Sequence, residues 1–166
     1  TGWVIIRDVL LIGPWRHDGE RSERHNRAPT DYDAEHILLR MVRCVNGAVQ
    51  LTIDCEPVFD YGRRLGTWEF SEAGYHQLTC CSEERDVTLT LTSDIKLGSE
   101  GPRALGRTLI KEGEHRFVAL SWGTTPVPRT TDEAYDRLVW TAHHWQHWLA
   151  RGSFPDHPSR AILERS

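Results

Sequence analysis

Three histidines and two tryptophans fall within the eight residues TAHHWQHW, Thr141 to Trp148. Histidines four apart on a helix share a face, so His143 and His147 have the spacing of a zinc pair. The metalloprotease form of that pair carries Glu directly after the first His; here His144 stands there, and spacing supplies no third ligand. Trp145 and Trp148, with Trp140 and Trp122, have ring faces that suit sugar stacking, but tryptophans three apart on a helix beside a strand core more often pack. The packing reading is therefore preferred to both metal and sugar.

Other chemistry is thinner. Asp54, Glu56 and Asp60 bracket a turn and have the makings of a glycosidase acid pair, yet acids at a strand end are commoner as solvated turn residues. In FDYGR, Phe59 to Arg63, Asp60 is placed to accept backbone N–H groups and to pair with Arg63, so both are read as structural turn residues. Lys96-Leu97-Gly98-Ser99-Glu100-Gly101 lacks the GK[ST] ending of a phosphate loop, and Ser121 lacks the GxSxG setting of a nucleophile elbow. The chain's own residues present no catalytic set, no cofactor-binding set and no metal set.

The elements that must carry these residues divide near residue 130. HILLRMVRCV, then Asn46-Gly47, then AVQLTIDCEP reads as a β-hairpin on a type I′ turn, with Val45 facing Ala48, Cys44 facing Val49 and Cys55 facing Leu38. Val49, Leu51, Ile53 and Cys55 alternate with Gln50, Thr52 and Asp54. DVTLTLTSD repeats the pattern, with Val87, Leu89 and Leu91 inward and the threonines outward, as a half-buried antiparallel strand. GWVIIRDVLLIG, YHQLTCC and the pair of strands around Glu112-Gly113-Glu114 add to the set. Short strands without βαβ alternation predict a mainly β fold, an antiparallel β-sandwich, over residues 1–128. Residues 14–35 are charged with alternating sign and read as a solvated excursion. Thr131-Asp132-Glu133 caps a helix of about eighteen residues, with Ala134, Leu138, Trp145, Trp148 and Leu149 on its apolar positions, forming a linker over 129–152. Ser159 is placed to cap a further helix, within a junction over 153–166.

Composition narrows the partners. A formal net charge of -4 on 166 residues, with both signs interspersed, gives no basic stripe for nucleic acid. No apolar run is long enough to span a bilayer, and the first ten residues lack the form of a signal peptide. Cys44, Cys55, Cys80 and Cys81 form no CxxC pair and read as reduced thiols, which points to a cytoplasmic location. The chain begins at Thr1, its single methionine is Met41, and ILERS stops while still helical; a fragment of a longer polypeptide is the expectation.

The order of RDVLLIGPW, DYDAEHILLRMVRCVNGAVQL, CEPVFDYGR, LTSDIKLGSEG, HRFVALSW and the tryptophan helix with FPDHPSRAILERS resembles the N-terminal part of glycoside hydrolase family 15, in particular its bacterial trehalase branch. The resemblance covers nearly the whole chain. It implies a non-catalytic sandwich, a helical linker and then an (α/α)6 barrel that holds both catalytic glutamates and inverts at an α-glucosidic bond of a small carbohydrate substrate. It makes the barrel of the same polypeptide the partner of this segment, with Trp140, Trp145 and Trp148 as inter-domain packing residues. A homo-oligomer is expected. Phosphate or magnesium dependence would belong to the longer enzyme, since this segment offers a ligand set for neither. A glucoamylase-type enzyme and a free-standing carbohydrate-binding sandwich are the alternatives.

Overall fold

The computed structural model describes residues 1–12, 34–82, 87–123, 125–152 and 158–163. Among the described residues ten strands come first: β1 (Gly2–Ile12), β2 (Ala34–Cys55), β3 (Val58–Phe59), β4 (Arg64–Leu65), β5 (Thr67–Ser71), β6 (Gly74–Cys81), β7 (Thr88–Ser93), β8 (Leu97–Glu100), β9 (Arg103–Lys111) and β10 (His115–Ser121). Two helices follow, α1 (Thr131–Ala150) and the single turn α2 (Arg160–Leu163). The fold is mainly β and antiparallel. Most of the excursion between β1 and β2 lies outside the described residues, as do residues 153–157 of the junction.

One strand organises the sheet, and it corrects the hairpin expectation. Asn46-Gly47 does not reverse the chain: β2 runs unbroken for 22 residues through it. Residues 37–43 pair with β10 on one side, β1 lies along the other side, and residues 48–55 pair with β9. Cys44 thus faces Val4 and Val49 faces Ile110. Gly47 still takes the positive φ, 70°, that its position promised. It spends it on a bulge: the register with β1 slips between Trp3 and Val4, leaving Val45 without an opposite residue. A glycine bulge bends and twists a strand, which is how one strand can pass from one sheet layer to another.

The neighbouring chain bends in step. Glu112-Gly113-Glu114 is a turn, as expected, but the strands it joins lie end to end along β2 rather than against each other. The turn is stitched to the bulge by Glu112 N–H to Gly47 C=O (2.9 Å), Gly113 N–H to Cys44 C=O (3.0 Å) and Cys44 N–H to Glu114 C=O (3.0 Å). The resulting strand order is β5-β6-β7-β10-β2-β9-β8, with β1 on the free side of β2.

That bend creates the layers. Trp68, Leu78, Cys80 and Leu91 from β5 to β7 are buried against Leu97 and Ala104 from β8 and β9. Trp68 Nε1–H donates to Pro102 C=O at 3.0 Å, so the far strand β5 meets the β8–β9 turn and the sheet nearly closes on itself. On the opposite face, Leu11, Ile37, Leu39, Met41, Phe117 and Ala119 are covered by Ala134 and Leu138 of α1. The outward threonines of β7 stay wet only at its start: Thr88 is exposed and Thr90 half-buried, whereas Thr92 is buried with Leu91 and Ser93, and its hydroxyl accepts from Gln77 Nε2 at 3.2 Å.

The cap of α1 is Thr130, one residue earlier than the sequence suggested; its side chain accepts from Glu133 N–H at 3.1 Å. Thr131 is freed to donate to Asp94 Oδ2 at 2.9 Å, while Asp94 Oδ1 accepts from Phe117 N–H at 2.9 Å. One carboxylate thereby fixes the start of the helix against β10. The four cysteines are free.

Candidate functional site

The strands of the larger layer share an end: β1, β6 and β10 finish there, and β2, β5 and β7 begin there. Three features of chemical interest lie at that end, the hairpin beside the edge strand β5 and the other two over β1, β2 and β10. They are the outer half of α1, the buried cluster around Arg137, and the β3–β4 hairpin.

α1 starts beside Phe117, whose strand partner is Met41, and reaches Ile12, whose backbone N–H donates to Thr141 Oγ1 at 3.3 Å. It therefore runs toward the shared end. Its buried residues are Ala134, Arg137, Leu138 and Thr141, and none follows Thr141. Trp140 and Trp148 are half-buried, Trp145 is 38% exposed, and His143 and His147 are exposed. Trp145 meets Trp148 edge to face at 5.8 Å and His144 at 6.2 Å. The cluster is thus gathered on a helix end that the sheet does not cover. Among the described residues no group of three or more His, Cys, Asp or Glu is placed to hold a metal ion.

Arg137 is buried on the face of α1 that meets the sheet. It lies 3.4 Å from Glu35 Oε2, donates at 2.6 Å to Pro126 C=O, and donates at 2.6 Å to Glu133 Oε1. Glu35 is equally buried. Burial raises its carboxyl above the ordinary range, with Arg137 pulling the other way. The sequence reading missed this pair. The available signal was positional: Arg137 stands between Ala134 and Leu138 on the inward stripe, and Glu35 is two residues before Ile37 on the strand. Placing Glu35 in a solvated excursion was wrong because β2 starts one residue before it.

The β3–β4 hairpin carries Asp60 and Arg63. Their side chains stand 3.7 Å apart and are well exposed. Gly62 N–H and Arg63 N–H both donate to Phe59 C=O at 3.1 Å, so the turn closes on backbone carbonyls. Asp60 sits at φ 48° and Tyr61 at φ 54°, where side chains other than those of Gly, Asn and Asp are disfavoured. Asp60→Ala is expected to lower stability by about 1 kcal/mol and Asp60→Gly to leave it unchanged or higher, measured by denaturant unfolding. Equal losses in both variants would trace the effect to the side-chain pair with Arg63 rather than to the backbone.

Of the carboxylates weighed as an acid pair, Asp54 is not prepared for it. Asp54 takes a bidentate contact from Arg103, and that hydrogen bond holds its carboxyl below the ordinary value, whereas a general acid needs it raised. The Cys80 thiol is equally unprepared: burial, with Cys81 and Cys55 adding, pushes it up to about 11, so it stays protonated at neutral pH. A cavity of about 330 Å³ on β8 and β9 is lined by Lys96 and Arg107 and by no carboxylate. Among the described residues no helix is long and apolar enough to cross a membrane.

No family model matches the chain. Over its whole length it is 49% identical to a trehalase of Mycolicibacterium smegmatis and 50% identical to a trehalase of Mycobacterium tuberculosis. Over 69% of its length it is 24% identical to a trehalase of Thermoplasma volcanium. The chain spans 25% of the length of each of the two mycobacterial relatives and 18% of the third.

Proposed function

We propose that this chain is the non-catalytic β-sandwich segment of a longer polypeptide that hydrolyses α,α-trehalose to glucose with inversion. The observation that carries the reading is the identity of 49% and 50% to two trehalases over alignments that span the whole chain. The electrostatics agree with a supporting role. Inversion needs one protonated and one ionised carboxyl about 6.5–9.5 Å apart around an open site. Here Asp8 and Asp54 are each tied to an arginine, and Glu35 is sealed under α1. The catalytic acids are assigned to a helical barrel of the glycoside hydrolase family 15 type, on the same polypeptide, and the whole to the cytoplasm, where four free thiols persist.

In this reading Trp140, Trp145 and Trp148 fasten the sandwich to that barrel. The test follows the product anomers by proton NMR as the longer polypeptide turns over trehalose. Inversion at one anomeric carbon gives equal initial amounts of α- and β-glucose, because the departing sugar keeps its configuration. The isolated segment is expected to release none. Glucose release by the segment alone, or α-glucose as the sole initial product, would overturn the respective halves of the proposal.

A further inference from the structure

The β3–β4 hairpin holds an arrangement that stability alone does not explain. Asp60, Tyr61 and Gly62 are three consecutive residues in the left-handed region, at φ 48°, 54° and 84°. An L residue is disfavoured there, and Asp tolerates it better than Tyr does. Strain of this kind persists only where the surroundings enforce it, and it concentrates at ligand contacts. The enforcement is visible at the base of the hairpin. Val58 and Phe59 pair with Leu65 and Arg64, both turn N–H groups close on Phe59 C=O, and Phe59 packs against the buried cluster of Trp68, Leu78 and Cys80. Gly66 completes the anchor, because a Cβ there would meet the Cys80 sulfur and come within 2.9 Å of the Phe59 ring.

What the anchored base presents is a tyrosine that is 102% exposed. Its own burial therefore returns nothing for the strain. Asp60 and Arg63 flank it, 3.7 Å from each other and both open to solvent. A bare aromatic face beside a carboxylate and a guanidinium suits a sugar ring, whose C–H face stacks while its hydroxyls donate to the acid and accept from the cation. An apolar protein surface would match it less well, since docking there would desolvate both charges. The hairpin joins the sheet at the end toward which α1 runs.

We propose that Tyr61 is a substrate-contacting residue of the longer enzyme, stacking on one glucosyl ring of the α-glucoside. This rests on the trehalose-hydrolysing reading. The experiment measures kcat and KM for trehalose, together with Tm, for the wild-type full-length polypeptide and its Y61A and Y61F variants. Y61A is expected to raise KM about tenfold, the loss of about 1.4 kcal/mol of ring contact, with kcat nearly unchanged and Tm unchanged or higher. Y61F, which keeps the ring, is expected to restore KM to near the wild-type value. An unchanged KM in an active Y61A enzyme overturns this inference while leaving the proposed function standing, and so does a lowered Tm with KM intact, which would make the tip a domain contact. A wild-type polypeptide inactive on trehalose overturns both.

Discussion

Arg137→Met is expected to lower the unfolding free energy of this chain by about 3–5 kcal/mol, because it leaves the Glu35 carboxylate buried without its counter-charge. Double substitution with Glu35→Gln should recover most of that loss, since removing both charges removes the desolvation cost together with the attraction. The two side chains have relative exposures of 3% and 4%, so solvent screening does little to soften the effect. A pH series separates this account from simple loss of packing. Burial raises the Glu35 carboxyl above its ordinary value of 4.5 even against the pull of Arg137. The protonated form is thus favoured by the fold: its contribution is complete below pH 4.5 and is lost as pH rises through the folded value. Glu35→Gln should flatten stability across that window, and Arg137→Met should steepen the decline. Denaturant midpoints measured across it check the prediction; parallel curves for the three proteins would remove Glu35 from the explanation.

The same pair shows what the sequence could convey and what it could not. Periodicity identifies the strands and the helix because each buries one face, and Ala134, Leu138, Leu89 and Leu91 fall where alternation or helical spacing places them. It is silent on which strand pairs with which. Asn46-Gly47 announces a positive φ, and Gly47 has one, yet a type I′ turn and a glycine bulge make the same local demand. The choice was made by β1, β9 and β10, which supply partners to β2 along its full length. Thr92 reads as solvent-facing from its own strand and is buried by elements distant in the chain. Charges are harder still. Glu35 and Arg137 each stand on an inward stripe, but they are 102 positions apart, and nothing local shows that the two charges meet until the helix is laid across the sheet. FDYGR was legible as a turn, since Gly and Asp are turn formers; that Tyr61 would share their left-handed backbone was not, because no propensity favours it.

Trp148→Ala is the second change with a large expected effect, and its size should depend on context. In the 166-residue chain, Trp148 is only half-buried and its ring neighbour Trp145 is itself 38% exposed. Truncation there should cost less than about 1 kcal/mol, as for other partly exposed side chains. If the outer half of α1 seats against a barrel, the same substitution in the longer polypeptide removes a ring buried on both sides and should cost about 3–5 kcal/mol, the range for Trp→Ala in a packed core. The isolated chain should reveal the uncovered rings in a second way. Trp145 leaves 38% of its surface open and Trp148 a smaller share, and adjacent apolar rings left open at a helix end favour self-association. Sedimentation velocity over a concentration series should therefore show the wild-type chain associating and a Trp145→Ala, Trp148→Ala double variant remaining monomeric. A wild-type chain that stays monomeric at high concentration, together with equal stability losses in the short and long proteins, would mean that the tryptophans are satisfied within this segment and do not fasten it to anything else.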